Sequence, residues 1–200
     1  MVFRDCGTAI TINQGNLVAG YITISDEEGT NYNVSISRII FNNNTQEAVA
    51  ISRSTMLNIN NCYFNNNNNY AIYTTRYNNN LENNEFNKIY FSIYCEKIYY
   101  PNEIHYNYFY KIISGIQSSR SINNINNNYN FYGSASYFIC ILSSISPYSL
   151  VSSDVNATNN YWAMENVDHY LADAEDDPRC SYHIIYLPKL SAPVDKAGIQ

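Results

Sequence analysis

Glu82 and His105 are the residues whose types suit proton transfer, a carboxylate and an imidazole able to act as acid and base. Each lies four places before a phenylalanine, Phe86 and Phe109, and Asn60 and Asn127 hold the same place before Phe64 and Phe131. If those phenylalanines mark equivalent points of a repeat, Glu82 and His105 are neighbours on adjacent units. The plainer role for such a pair is a surface ion pair worth about 0–1 kcal/mol. A second set is basic. Arg53 and Arg76 follow Phe41 and Phe64 by 12, and Lys97 and Arg120 follow Phe86 and Phe109 by 11. Four stacked cations about 5 Å apart repel by roughly 1–3 kcal/mol per neighbouring pair, so the stripe is either a groove for a polyanion or a solvated face with acids such as Glu96 beside it. A third set is aromatic: Tyr63, Glu85, Tyr108 and Tyr161 stand one place before Phe64, Phe86, Phe109 and Trp162. Tyrosines in line can stack on sugar rings or shield a sheet face.

These sets need a scaffold that repeats. Phe41, Phe64, Phe86, Phe109 and Phe131 recur at intervals of 23, 22, 23 and 22. An aliphatic residue precedes each of the first four by five places, at Ile36, Ile59, Leu81 and Ile104, and slips by one at Ile125. A second apolar position follows by seven, at Ala48, Ala71, Ile93, Ile116 and Phe138. Asn61, Asn83, Asn84, Asn107 and Asn128 lie between the first strand and the marker. Short period-two strands separated by polar turns fit this spacing. A unit so short buries no core alone, but stacked units bury a continuous one. The expected fold is therefore all-β, a single-stranded parallel β-helix. Equivalent residues stack at about 4.8 Å, the five phenylalanines form an internal stack, and the asparagines form a ladder at a bend, satisfying backbone groups that the turn leaves unpaired. Leucine-rich and helical repeats fit less well, because leucine is rare and Asn, Ile and Tyr are poor helix formers.

Composition agrees. The chain has 200 residues, 46% hydrophobic, with 21 tyrosines, which excludes the apolar-poor composition of disorder. A net charge of −6 speaks against nucleic acid as a partner. No stretch approaches the roughly 18 apolar residues of a membrane span, and Met1 to Cys6 is not a basic segment leading into an apolar run. Cys6, Cys62, Cys95, Cys140 and Cys180 are odd in number and contain no CxxC, so they read as buried free thiols.

Much catalytic chemistry lacks its residues. No Asp occurs between Val34 and Ser153, and Glu47, Glu82, Glu85, Glu96 and Glu103 sit at different phases, so no stacked carboxylate pair suits glycoside hydrolysis or a calcium site. No metal and no cofactor is expected. Asp168, Asp173, Glu175, Asp176 and Asp177 read as turn chemistry, and the glycosylation patterns at Asn33, Asn43 and Asn156 are expected by chance in so Asn-rich a chain.

Ile59-Asn60-Asn61-Cys62-Tyr63-Phe64, Leu81-Glu82-Asn83-Asn84-Glu85-Phe86 and Ile104-His105-Tyr106-Asn107-Tyr108-Phe109 resemble the I-x-N-N-x-F repeat of right-handed parallel β-helix proteins, the pectate-lyase-like superfamily and its surface, adhesin-like members. Asn159-Asn160-Tyr161-Trp162 resembles their closing N-N-Y-W-G element, with Ala163 in place of glycine, and Glu165 to Pro178 is similar to the short helix and acidic turn that come after it. The resemblance covers roughly residues 34–190. It implies a right-handed solenoid of about six to seven coils over residues 1–163, with a helical and loop closing segment over 164–200. Loops are expected near Asp26–Gly29 and Ser143–Ser149. Phe3 reads as the marker of a first, incomplete coil, so the chain starts in mid-coil. It further implies an extracellular or cell-surface, non-catalytic module, adhesin-like or carbohydrate-binding, with Arg53, Arg76, Lys97, Arg120, Tyr63 and Tyr108 as binding candidates. The alternative is a carbohydrate-active lyase or hydrolase using Glu82 and His105.

Overall fold

The computed structural model describes residues 2–4, 10–18, 22–25, 33–52, 56–75, 78–96, 102–119, 123–126, 128–132, 139–142, 155–162, 171–172, 184–193 and 197–198. Among them every element is a β-strand, and every strand pairing is parallel. An eight-stranded sheet takes one strand from each rung, including Val49–Ser52, Tyr70–Thr75, Phe91–Glu96 and Ser114–Ser119. A 13-stranded sheet supplies the other faces. It folds on itself at Asn33–Asn42, whose first half pairs with Met56–Asn60 and whose second half pairs with Tyr63–Asn65. The result is a parallel β-solenoid. From Phe41 through Phe64, Phe86 and Phe109 to Asn130 it makes about four turns, with further rungs described as isolated strands at both ends.

Sequence dictates this closely. Inward positions alternate with outward ones, as in Leu57 and Ile59 buried beside half-buried Asn58 and Asn60. Phe41, Phe64, Phe86 and Phe109 are buried and stack with ring centroids 4.9, 5.0 and 4.8 Å apart, planes within 7° of parallel. Ile36, Ile59, Leu81, Ile104 and Ile125 form a second interior ladder. Truncating a buried phenylalanine of this kind costs about 3–5 kcal/mol.

Four expectations change in detail. Phe109 pairs with Asn130, and Phe131 pairs with Tyr110, so Phe131 leaves the phenylalanine ladder. The cause is a 21-residue step, Ile104 to Ile125, where earlier steps are 22 or 23. At the other end Phe3 pairs with Ile24 in the eight-stranded sheet, and Leu17, which pairs with Phe41, occupies the marker position. In the second strand the interior ladder is Val49, Ile72, Ile93 and Ile116, with Ile139 next in register. Ala48 and Ala71 are buried one place earlier. Of the helix expected over 165–178, Leu171–Ala172 is instead a strand added to the eight-stranded sheet, and the rest lies outside the described residues, as do the two expected loops.

The two turns flanking the marker strand share one backbone device. In the first, Arg38, Asn61, Asn83, Tyr106 and Asn159 have φ of 53–57°; in the second, Asn43, Asn66, Lys88 and Lys111 have φ of 51–56°. This left-handed region is costly for most residues and least so for Gly and Asn. That need accounts for part of the asparagine in a chain with only 7 glycines. Each of these residues is followed by a buried one.

Candidate functional site

Glu82 and His105 are in register on adjacent coils, as their spacing predicts, and Glu82 Oε2 lies 3.9 Å from His105 Nε2. That distance is an ion-pair contact rather than a hydrogen bond. The side chains are 35% and 21% exposed, so solvent screens them. Ser37 and Asn60 precede them in the ladder, and Asn126, not Asn127, comes next, because of the 21-residue step. Glu103, on the strand of His105, accepts a hydrogen bond from Asn124 Nδ2 at 2.8 Å and does not pair with Glu82. Among the described residues no group of three or more His, Cys, Asp or Glu could hold a metal ion.

Tyr63, Glu85 and Tyr108 are in register, and the ladder continues through Tyr129 to Tyr161. Glu85 sits between two tyrosines, and its burial pushes the carboxyl above its ordinary range. Tyr63 Oη accepts a hydrogen bond from Asn87 Nδ2 at 3.0 Å. Gly198 donates its N–H to Tyr106 O at 2.8 Å, and a Cβ at that position would come within 3.3 Å of Tyr108 Cβ, so Gly198 lies beside this part of the ladder.

Arg53, Arg76, Lys97 and Arg120 lie outside the described residues. Each directly succeeds one member of a single register ladder, Ser52, Thr75, Glu96 and Ser119.

Among the described residues the largest group of outward rings is one that the spacing argument missed. It lies on the outer face of the eight-stranded sheet, at Tyr70–Thr75 and Phe91–Glu96. Tyr73 stacks on Tyr94 at 5.3 Å and 7°, and Tyr70 stacks on Phe91 at 4.9 Å. The two pairs meet, Tyr70 being 5.1 Å from Tyr94 and 6.1 Å from Tyr73, and half-exposed Tyr90 sets its edge against Phe91. Side-chain acceptors frame the rings. Tyr73 Oη donates to Glu96 Oε2 at 3.2 Å, Tyr70 Oη donates to Gln117 Oε1 at 3.1 Å, and Glu47 Oε1 accepts from Asn69 Nδ2 at 3.0 Å. Burial and the Glu96 carboxylate push the Tyr73 phenol up to about 12, and burial, then Glu47, raises that of Tyr70. The signal in the sequence is Tyr-x-x-Tyr at 70–73 and Phe-x-x-Tyr at 91–94. Two buried residues separate the outward ones, so a strict period of two puts the second ring inside.

No family model, curated protein or solved structure matches the chain. A functional reading therefore stands on the fold and on the geometry of these side chains.

Proposed function

We propose that the chain is a non-catalytic carbohydrate-binding module, adhesin-like, of the pectate-lyase-like β-helix class, working at the cell surface or in the secreted space. The observation that supports it is the five-ring outer face of the eight-stranded sheet. Aromatic rings bordered by a few fixed acceptors suit sugars, whose C–H faces are apolar and whose edges carry hydroxyls.

The test is retention of a panel of soluble neutral and acidic polysaccharides by the immobilised chain, with mass spectrometry of the unbound material. Retention without new oligosaccharide ends is expected. The absence of retention for every polysaccharide overturns the reading. New ends lost on Glu82→Gln or His105→Ala establish the second reading, a carbohydrate-active enzyme, which the 3.9 Å contact between those side chains favours.

A further inference from the structure

The outward ladder through the ring cluster runs Thr23, Ala50, Tyr73, Tyr94 and Gln117, one residue per rung. Tyr94 covers one face of the Tyr73 ring. On the other side the residue in register on the neighbouring rung is Ala50, half-buried and outward between buried Val49 and Ile51. The ring stack thus ends in a step, with a ring face as its wall and a methyl as its floor. Glu47, three residues before Ala50, accepts from Asn69 Nδ2 at 3.0 Å beside Tyr70, and Glu96 holds the Tyr73 hydroxyl. Because Glu96 fixes that hydroxyl, the ring is held upright and pre-oriented.

We infer that the step between Ala50 and Tyr73 is a subsite for one pyranose ring of a neutral glycan. This rests on the carbohydrate-binding reading above and names its site and ligand class. The apolar face of the sugar stacks on Tyr73 over the Ala50 methyl, and its hydroxyls reach Glu47, which has acceptor capacity beyond its bond to Asn69. Glu96 holds the Tyr73 hydroxyl and Glu47 holds Asn69, next to Tyr70, so the carboxylate of a uronic acid seated in the step meets like charge from these two groups while a neutral sugar does not.

The experiment is affinity electrophoresis and calorimetry with three soluble probes: a neutral β-linked glucan, a polygalacturonate and a chitosan. The glucan is expected to bind best. Tyr73→Ala removes the stacking face and should weaken it by about tenfold or more. Tyr73→Phe should retain most of the affinity. Ala50→Phe fills the step from outside the core, so it should abolish glucan binding while leaving the circular dichroism and melting curve unchanged. Glucan binding that ignores Tyr73→Ala and Ala50→Phe overturns the subsite. So does tighter binding of chitosan, which would mark a cation site on the two glutamates. Polygalacturonate binding that falls with Arg53→Ser plus Arg76→Ser overturns the subsite yet leaves the carbohydrate-binding module standing. No binding of any probe overturns both.

Discussion

The two turns of each coil share one backbone step, a left-handed residue followed by a buried one, and put it to different use. In the first turn the buried residue after the left-handed one is Ile39, then Cys62, Asn84, Asn107 and, completing the ladder, Asn128 and Asn160. There the amides are saturated. The N–H of Cys62, Asn84, Asn107 and Asn128 donates to Oδ1 of Asn84, Asn107, Asn128 and Asn160 at 2.8–3.0 Å. The Nδ2 of Asn84, Asn107 and Asn128 donates to the carbonyls of Ile59, Leu81 and Ile104 at 2.8, 2.8 and 2.9 Å. In the second turn the equivalent buried residues are Asn44, Asn67, Ile89 and Ile112. Asn44 N donates to Asn67 Oδ1 at 3.1 Å, but Asn44 Nδ2, Asn44 Oδ1 and Asn67 Nδ2 have no hydrogen-bond partner among the described residues. Two coils later isoleucine fills the place with the same backbone angles. The lesson is that the left-handed residue makes the turn, while the buried amide beside it stabilises the fold only where both of its ends are used.

The largest effect should come from cutting the saturated ladder. Asn107 accepts from Asn84 N and Nδ2 and donates to Leu81 O, His105 O and Asn128 Oδ1. Asn107→Leu removes the side-chain partner of Asn84 N and of Leu81 O, while Asn84 Nδ2 keeps Ile59 O, Asn128 Oδ1 keeps Asn107 N and His105 O keeps Asn83 N; at about 1–3 kcal/mol for each group left unpaired, a loss of about 4 kcal/mol in urea unfolding is expected. A loss under about 1 kcal/mol would show that the two turns do not differ.

Next comes the alkaline limb. Burial pushes the Cys62 and Cys95 thiols up to about 12 from 9.0. A raised folded-state pKa means stability fully present below pH 9 and lost as pH rises toward 12, at about 1.4 kcal/mol per pH unit for each thiol. Urea midpoints between pH 8 and 11 test the slope. Below pH 9, iodoacetamide should label Cys62 and Cys95 only after unfolding, as read by peptide mapping. Cys62 also sharpens the comparison. Its Sγ lies 3.8 Å from Ile36 O and 3.4 Å from Asn60 O, where Asn107 Nδ2 reaches Leu81 O and His105 O. The thiol is a weak donor in the amide's place. Cys62→Asn should therefore cost less than about 1 kcal/mol and should remove its share of the alkaline slope. A loss as large as that of Asn107→Leu would show that the ladder cannot extend past Asn84.

What could be read from the sequence depended on which residues keep phase. Phe41 to Phe109 announced the parallel stack, because a buried aromatic tolerates only steps that return it to the interior. The place of Glu82 beside His105 came from the same count. Leu17 was missed as a marker because its type differs from Phe, and the 21-residue step that displaces Phe131 and Asn127 leaves no local sign. The ring cluster of Tyr70, Tyr73, Phe91 and Tyr94 was hidden by the Ala71–Ile72 and Ser92–Ile93 pairs, whose two residues are both buried and break the alternation. Nor could the saturated and unsaturated Asn-Asn steps be told apart. Their difference lies in the residue one coil away, Asn107 beyond Asn84 but Ile89 beyond Asn67.

The smallest effect is also the one whose sign is least intuitive. Asn44→Ile removes a buried polar side chain and should stabilise the fold, by about 0.5–1 kcal/mol. An amide buried without partners carries its desolvation cost unreturned, and replacing it with an apolar group of similar size is nearly neutral or favourable. The backbone N–H of Asn44 keeps its bond to Asn67 Oδ1, since the substitution does not touch it. The new side chain joins a ladder that already holds Ile89 and Ile112. The residue with φ of 56° is Asn43, not Asn44, so no β-branched residue enters the left-handed region. Asn67→Ile is the contrasting control. It removes the acceptor of that N–H and should cost about 1–2 kcal/mol more than Asn44→Ile. Urea midpoints of the two variants, measured side by side, decide the matter. Equal losses would mean that both amides are satisfied and that the two turns are built alike.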